Sequence, residues 1–345
     1  MKIVYTGPLV AGDTCELRRR ALERLGHETI AVDYLPFVQN RGSLVRRIQW
    51  HFRMGGVLRD YNAALCAALD RVPDVLWVDK GIFVAPDVLE YARRSGVRFL
   101  VHYSPDNYLL RQNSSRHLWR GLAKYDVVVT TKRSNVGLLQ TMGARRVVLS
   151  GNAYDPELHR PIALTDAERA ALGCDVSFIG RWEPDRERLL EAIAALPIKL
   201  RVRGPGWEKV RSRLLRPVCE AGALYGDDYV KAIVAAKINL GLLSIVAGDA
   251  ITQRSIEIPA CGAFMLAERT GEHRLHFNDG EEAVFFDGSA ELVQAVQRYL
   301  GADEERHRIA EAGRARCVVS GYAYDDRLRE ILALRESPAG RSAAA

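Results

Sequence analysis

The sequence predicts an α/β protein built from two doubly wound, Rossmann-like domains in series. Three observations carry that prediction. The chain has 345 residues, too many for one ordinary module of roughly 100–150 residues and comfortable for two. Short β-rich runs alternate with longer amphipathic segments, the signature of a parallel sheet wrapped by helices. The alternation then restarts after a Pro-containing linker at about 151–172. An apolar fraction of 48% and a charged fraction of 27% exclude a disordered or fibrous chain. No run approaches the ~20 apolar residues needed to span a bilayer.

In the first half the predicted strands are KIVYTG (2–7), ETIAVD (28–33), VLWVDK (75–80), RFLVHY (98–103), DVVVTT (126–131) and RVVLS (146–150). Between the first two, Leu17, Ala21, Leu22 and Leu25 recur at helical spacing, and Gly26 ends the helix. Asp13 or Thr14 caps its start. The second series is DVSFIGR (175–181), IKLRVRG (198–204), INLGLL (238–243) and AFMLAE (263–268), with helices expected around 303–317 and 324–334. Two such units imply a bilobed protein with a cleft between its lobes. The last ten residues, 336–345, have the composition of a disordered tail.

Several chemistries are excluded by missing motifs. There is no G-x-G-x-x-G fingerprint, and Gly7-x-x-x-x-Gly12 lacks the lysine of a Walker A loop. There is no G-x-S-x-G and no Asp-x-Asp pair for a metal-bound diphosphate. The six cysteines are scattered without a C-x-x-C pair or zinc-ligand spacing, which reads as free thiols in a reducing cytoplasm. The short apolar N-terminal run is broken by Gly7-Pro8 and fits a first strand better than a signal peptide.

The net charge of +6 is unevenly spread. Residues 1–150 carry 23 Lys+Arg against 13 Asp+Glu, whereas the remaining 195 carry 26 against 30. An acidic partner should therefore meet the first half. Nucleic acid fits poorly, because the basic residues are dispersed and no binding module is evident. Within SLVRRIQWHFRMGGVLRDY (43–61), Leu44, Ile48, Trp50 and Phe52 lie among arginines. That stretch can touch an anionic membrane or acceptor, or can be an ordinary core-facing helix with solvated arginines.

The strongest chemical signal is GDAITQRSIEIPACGAFML (248–266). Asp249 is expected to cap a helix starting near Ala250, so that the amides of Ala250, Ile251 and Thr252 face an anion. Asp249, Gln253 and Glu257 are four apart and so share a face; Arg254 brings positive charge nearby. Pro259 should kink this helix, and Gly262 should end it. The competing reading is a surface helix with an i,i+3 Arg–Glu pair. Asp227-Asp228 is read as a helix N-cap, and Gly204-Pro205-Gly206 as a turn.

The run R-S-I-E-I-P-A-C-G-A-F (254–264), the segment Gly280–Phe286, and the ending I-A-E-A-G-R-A-R (309–316) followed by aromatic residues and Arg327 resemble the group 1 glycosyltransferases of the GT-B class. Within these they resemble the spore-maturation-protein (CgeB-like) branch. The resemblance is specific over 174–330 and only architectural over 1–150. It implies that Glu257 accepts hydrogen bonds from the donor ribose and that Asp249, where the family more often has Glu, contacts the donor sugar. It also implies that Arg181 and Arg186 of Gly180-Arg181-Trp182-Glu183-Pro184-Asp185-Arg186 clamp the diphosphate. A metal-free departure of a nucleoside diphosphate needs such guanidinium groups. The base is expected over Tyr225, in the 222–226 loop.

In the first half, His102 and Asp106 lie at the carboxyl end of the strand RFLVHY, where catalytic groups are well sited. By the resemblance His102 contacts the donor sugar, and Asp106 is the candidate base or orienter for the acceptor hydroxyl. A core histidine and a capping aspartate are the alternatives. The Gly7–Gly12 loop would let backbone approach acceptor or phosphate closely.

The resulting expectation is a GT-B protein with two Rossmann-like domains facing each other across a cleft: an acceptor domain over 1–160, a donor domain over 173–318, and a helix over 319–335 packing back toward the first. The expected activity is sugar transfer from a nucleotide-diphosphate sugar, UDP being the commonest in the class, to a hydroxyl acceptor that is anionic or lipid-linked. Retention, no metal and no further cofactor, and a cytoplasmic location with peripheral membrane contact complete it. A sugar-nucleotide epimerase and a degenerate, non-catalytic nucleotide- or partner-binding module are the alternatives.

Overall fold

The computed structural model describes residues 1–39, 48, 49 and 51–336. Leu44 and Trp50 of the basic stretch, and the tail from 337 on, lie outside the described residues. The chain divides into two compact units, one of Met1–Gly151 together with the chain from Asp325, the other of Asn152–Tyr324.

The first unit holds six parallel strands: β1 (Lys2–Gly7), β2 (Glu28–Asp33), β3 (Val75–Asp79), β4 (Phe99–Ser104), β5 (Val127–Thr130) and β6 (Val147–Leu149). Their order is β2-β1-β3-β4-β5-β6. The central strands β3 and β4 are buried at every position, which is why they read as continuous apolar runs rather than alternating ones. The second unit repeats the plan with β7 (Cys174–Ile179), β8 (Leu200–Gly204), β9 (Cys219–Ala221), β10 (Ala236–Gly241), β11 (Met265–Glu268) and β12 (Val284–Phe286), in the order β12-β11-β10-β7-β8-β9. The α/β, doubly wound fold class is as the sequence predicts. The sequence does not reveal β9 and β12 as strands. Both are three-residue edge strands, too short to display a period of two.

The helix Thr14–Arg24 is capped by Asp13, whose carboxylate accepts from the Thr14 amide. It lays Arg18 across one face of the first sheet. There Tyr5 stacks on Trp77 at 6.5 Å and Trp77 on Tyr103 at 6.0 Å, with the Arg18 guanidinium 4.4 Å from the Tyr103 ring centroid. Arg18 grips Asp79 through Nε at 2.7 Å and Nη2 at 3.0 Å, and the Tyr5 hydroxyl lies 2.5 Å from the same carboxylate. All of these groups are buried, so the pair holds only because its hydrogen bonds are met. No helix among the described residues is long and apolar enough to cross a membrane.

Candidate functional site

Open parallel sheets bind ligands at the carboxyl ends of their strands, where the strand order reverses. In the second unit that reversal falls between β7 and β10. The segments leaving these two strands include 180–186 and the start of 248–266, the sequences that the motif argument singles out.

After β7 the chain turns at Gly180, which donates to the Arg203 carbonyl at 2.8 Å and accepts from the Trp207 indole at 2.8 Å. Trp182 donates to Pro205 at 2.9 Å. Gly204-Pro205-Gly206 is thus the cradle for this turn as well as a turn itself. A Cβ on Gly204, whose φ is +147°, would lie 2.1 Å from the Gly180 oxygen.

The helix Pro184–Ala194 carries Arg186 inward, 4% exposed. Its guanidinium donates to the carbonyls of Leu243 (2.9 Å), Arg181 (2.9 Å) and Leu242 (3.3 Å), and pairs with Glu183 at 3.3 Å. Arg254 donates from Nη2 to the same Leu242 oxygen at 3.2 Å. Burial, and then the adjacent Arg254 charge, push Arg186 down to about 10. The Nε of Arg254 is buried and has no hydrogen-bond partner among the described residues. Opposite them, Glu268 accepts from the Leu243 amide at 2.6 Å, and burial raises its carboxyl above the usual range.

This corrects the expected clamp. Arg181 is exposed at the surface while Arg186 is committed to three main-chain carbonyls, so their side chains do not form one pair. The second guanidinium at the switch point belongs to Arg254, a residue the sequence associates with a different motif.

The helix after β10 also differs. It runs Arg254–Ala260, with Gln253 at its N-cap, rather than starting near Ala250. Asp249 is not its cap: the Asp249 carboxylate accepts from the Ser244 amide at 3.3 Å, and Gly248 at φ +62° closes a separate loop. The Thr252 amide is turned to the Ser255 hydroxyl at 3.2 Å. Ala250 and Ile251 lie in that loop, so Ala250, Ile251 and Thr252 do not present a first helical turn to an anion. Asp249 is likewise off the helical face of Glu257. Gly262 at φ +70° ends the helix as expected, and Pro259 falls in its last turn.

Ser255–Ala260 are all buried, so this is not a surface helix. Among the described residues Glu257 and Arg254 form no ion pair. Glu257, 6% exposed, accepts from the Tyr229 hydroxyl at 2.7 Å through Oε2, and its Oε1 lies 3.7 Å from His159 Nε2. The nearby Tyr225 is 45% exposed at the N-cap of Gly226–Val234, on a loop whose Gly222 amide bonds Gly204 at 3.2 Å. Asp227 and Asp228 sit in the first turn of that helix, where they favour its dipole, and neither supplies a side-chain cap.

In the first unit the strand order reverses between β1 and β3. Here the sequence expectations need two corrections. His102 lies within β4, fully buried, with Nε2 2.8 Å from the Tyr108 hydroxyl. Burial pushes it down to about 4, so it is a neutral histidine packed in the core. Gly7 lets the end of β1 pack closely on Asp79, since a Cβ there would lie 2.9 Å from Asp79 Cβ. Gly12, at φ +76°, makes the tight turn into the Asp13 cap.

Asp106 is half-buried, with Lys80 Nζ 3.6 Å from its carboxylate. Burial alone would depress Lys80; Asp106 and then other neighbours outweigh it and hold the ammonium above its ordinary value. Lys80 escapes the sequence argument. It ends the run VLWVDK, but its left-handed backbone, φ +62°, which turns it toward Asp106 at the strand end, has no signature in residue type.

Residues 185–333 match a family model described as glycosyl transferase-like. No curated protein matches the chain. Among solved structures, sucrose-phosphate synthase from Thermosynechococcus elongatus superposes with a TM-score of 0.69 at 14% identity, covering 97% of this chain and 98% of that one. A glycosyltransferase from Rickettsia africae gives 0.67 at 13%, covering 97% of each chain. HepE from Anabaena, in complex with UDP and glucose, gives 0.63 at 14%, covering 98% of this chain and 100% of that one. The chain has the GT-B fold, and residues 185–333 carry the glycosyl transferase-like sequence.

Proposed function

We propose that the protein is a glycosyltransferase that moves a sugar from a UDP-sugar to a hydroxyl acceptor. The observation that carries this is the meeting of Arg186 and Arg254 at the β7/β10 switch point, with a buried Arg254 Nε left over. Two guanidinium groups against few carboxylates suit a diphosphate, with Arg254 able to donate to its oxygens and Arg186, held by main-chain carbonyls, adding positive charge. The glycosyl transferase-like match spans both arginines, and a GT-B relative of similar extent is a UDP complex.

In this reading Arg254 contacts the diphosphate directly, Arg181 approaches it from the rim, and Arg186 adds charge while bracing Leu242 and Leu243. Glu257 takes the ribose hydroxyls through Oε1, held in place by Tyr229, and Tyr225 stacks on the base. Asp249 orders the loop beside the donor sugar. The bond from the anomeric carbon to the diphosphate breaks as the acceptor oxygen bonds to that carbon. The nucleotide leaves with the electron pair, its charge met by guanidinium groups rather than a metal ion. Asp106, with Lys80 Nζ 3.6 Å from its carboxylate, orients the acceptor hydroxyl and accepts its hydrogen bond, and the hydroxyl proton leaves on the departing diphosphate. Retention at the anomeric carbon and the CgeB-like branch rest on the motif resemblance.

Calorimetry with UDP, paired with a transfer or donor-hydrolysis assay, tests the reading. Binding and turnover in the parent, both lost in Arg254→Ala and Glu257→Ala, are expected. If both variants keep UDP affinity and transfer, the donor site is elsewhere.

A further inference from the structure

The first unit contains a cavity of about 1080 Å³, formed where 51–54 meets 111–120. Its lining includes Arg53, Arg111, Arg116 and Arg120 with His51 and His117, and no carboxylate among the described residues lines it. The two segments are stapled together. Arg53 donates to the Gln112 carbonyl at 2.9 Å, His117 Nε2 donates to the Arg53 carbonyl at 3.0 Å, and Arg111 donates to His51 Nε2 at 2.9 Å. In the last bond the guanidinium is the donor and His51 the acceptor.

Arg53 is buried at φ +51°, a backbone conformation that costs about 1–3 kcal/mol in a non-glycine residue. Burial, and the nearby Arg111 charge after it, both depress its guanidinium. Arg116 and Arg120 are one turn apart on the helix Arg116–Gly121, and neither has a carboxylate partner among the described residues. Arg111, Arg116 and Arg120 gather like charge in one concave pocket with no carboxylate partner among the described residues, which is unfavourable unless an anion supplies compensation. Phe52 and Met54 at the mouth are 59% and 56% exposed, and Trp119 lines the wall.

We propose that this pocket binds the phosphate of a phosphate-bearing acceptor, with Arg111, Arg116 and Arg120 on the phosphoryl oxygens and Phe52 and Trp119 against the remainder of the molecule. Arginine suits this because its planar fork matches phosphate geometry. The same phosphate can come from a soluble phosphorylated acceptor or from a lipid headgroup. That the bound molecule is the acceptor rests on the transfer reaction proposed above; that the pocket takes phosphate does not.

The test uses the full chain and the double variant Arg116→Ser/Arg120→Ser, whose side chains are exposed and whose loss should leave the thermal midpoint unchanged. Inorganic pyrophosphate is titrated by calorimetry in excess UDP, which fills a diphosphate site in the second unit. Cosedimentation compares phosphatidylcholine vesicles with the same vesicles doped with phosphatidic acid. We expect pyrophosphate binding to weaken at least about tenfold in the variant while UDP affinity holds. Variant-sensitive binding to the doped vesicles would assign the phosphate to a lipid, and pyrophosphate binding alone would assign it to a soluble acceptor. Parent binding to neither probe, or equal binding by the double variant, overturns the proposal. Variant-sensitive pyrophosphate binding in a parent that ignores UDP would uphold the pocket and sink the donor reading instead.

Discussion

Arg186 and Arg254 share one acceptor, the carbonyl oxygen of Leu242, at 3.3 and 3.2 Å. The two guanidinium groups have unequal commitments. Arg186 satisfies three main-chain carbonyls, whereas Arg254 retains a buried Nε without a partner. Their substitutions should therefore separate stability from affinity. Arg186→Met removes the donor to the Leu243 and Arg181 carbonyls, Leu242 keeping Arg254, and should cost about 2 kcal/mol of stability. Arg254→Met should cost less stability but weaken UDP binding about tenfold or more, the loss of one charge-assisted contact. Urea titration and calorimetry on both variants check this; equal stability losses would contradict the division of roles.

Glu257 gives a sharper ligand test, because Tyr229 already holds one of its oxygens at 2.7 Å. If Oε1 takes a ribose hydroxyl, the parent should prefer UDP to its 2′-deoxy analogue by about tenfold. Glu257→Gln keeps the shape and should narrow that preference, and Glu257→Ala should abolish it. An undiminished preference in Glu257→Ala would mean that the ribose lies against other residues.

The α/β class and most strands were legible because parallel, doubly buried strands write themselves as apolar runs: VLWVD and FLVHYS could hardly be anything else. The site was legible in part. Glu257 and the two motif arginines are singled out by the motif resemblance, and the strand ends after β7 and β10 carry their segments. What spacing could not convey is side-chain direction. Arg186 points inward because carbonyls of a strand end lie within its reach, and Arg181 does not. The helix start was misplaced by four residues because Asp249 satisfied a capping pattern locally while its loop bonded Ser244 instead. His102 sat on a strand whose residues are all buried, and alternation could not separate its two faces. Lys80 depended on a positive φ that residue type does not announce.

The buried Arg18–Asp79 pair should behave as a unit. Asp79→Asn leaves a guanidinium buried beside the Tyr103 ring with weakened compensation and also weakens the Tyr5 contact. A destabilisation of about 3–5 kcal/mol is expected, as for breaking other buried pairs. The double variant Arg18→Met/Asp79→Leu removes both charges and should be less destabilised than the sum of its single variants. Additive losses in denaturant titrations would show that the two residues do not depend on each other.

Two buried histidines set a pH dependence whose direction is fixed by their environments. His102 and His273 are both pushed from 6.5 down to about 4, chiefly by burial. His273 is held neutral from both sides: Nδ1 donates to the Glu268 carbonyl at 2.6 Å, and Nε2 accepts from Ser255 at 2.8 Å. Below pH 6.5 the unfolded chain binds protons at these residues that the folded chain refuses. Their contribution to stability is therefore complete above pH 6.5, declines as pH falls, and is gone below about 4. Each pKa unit corresponds to about 1.4 kcal/mol, so the two together should produce a steep loss within this window. Urea stability measured from pH 7.5 to pH 4 should show it, and His273→Gln, which preserves a hydrogen-bonding side chain, should flatten the slope by the share of one proton. An unchanged slope in that variant would mean that His273 already carries its proton in the folded chain.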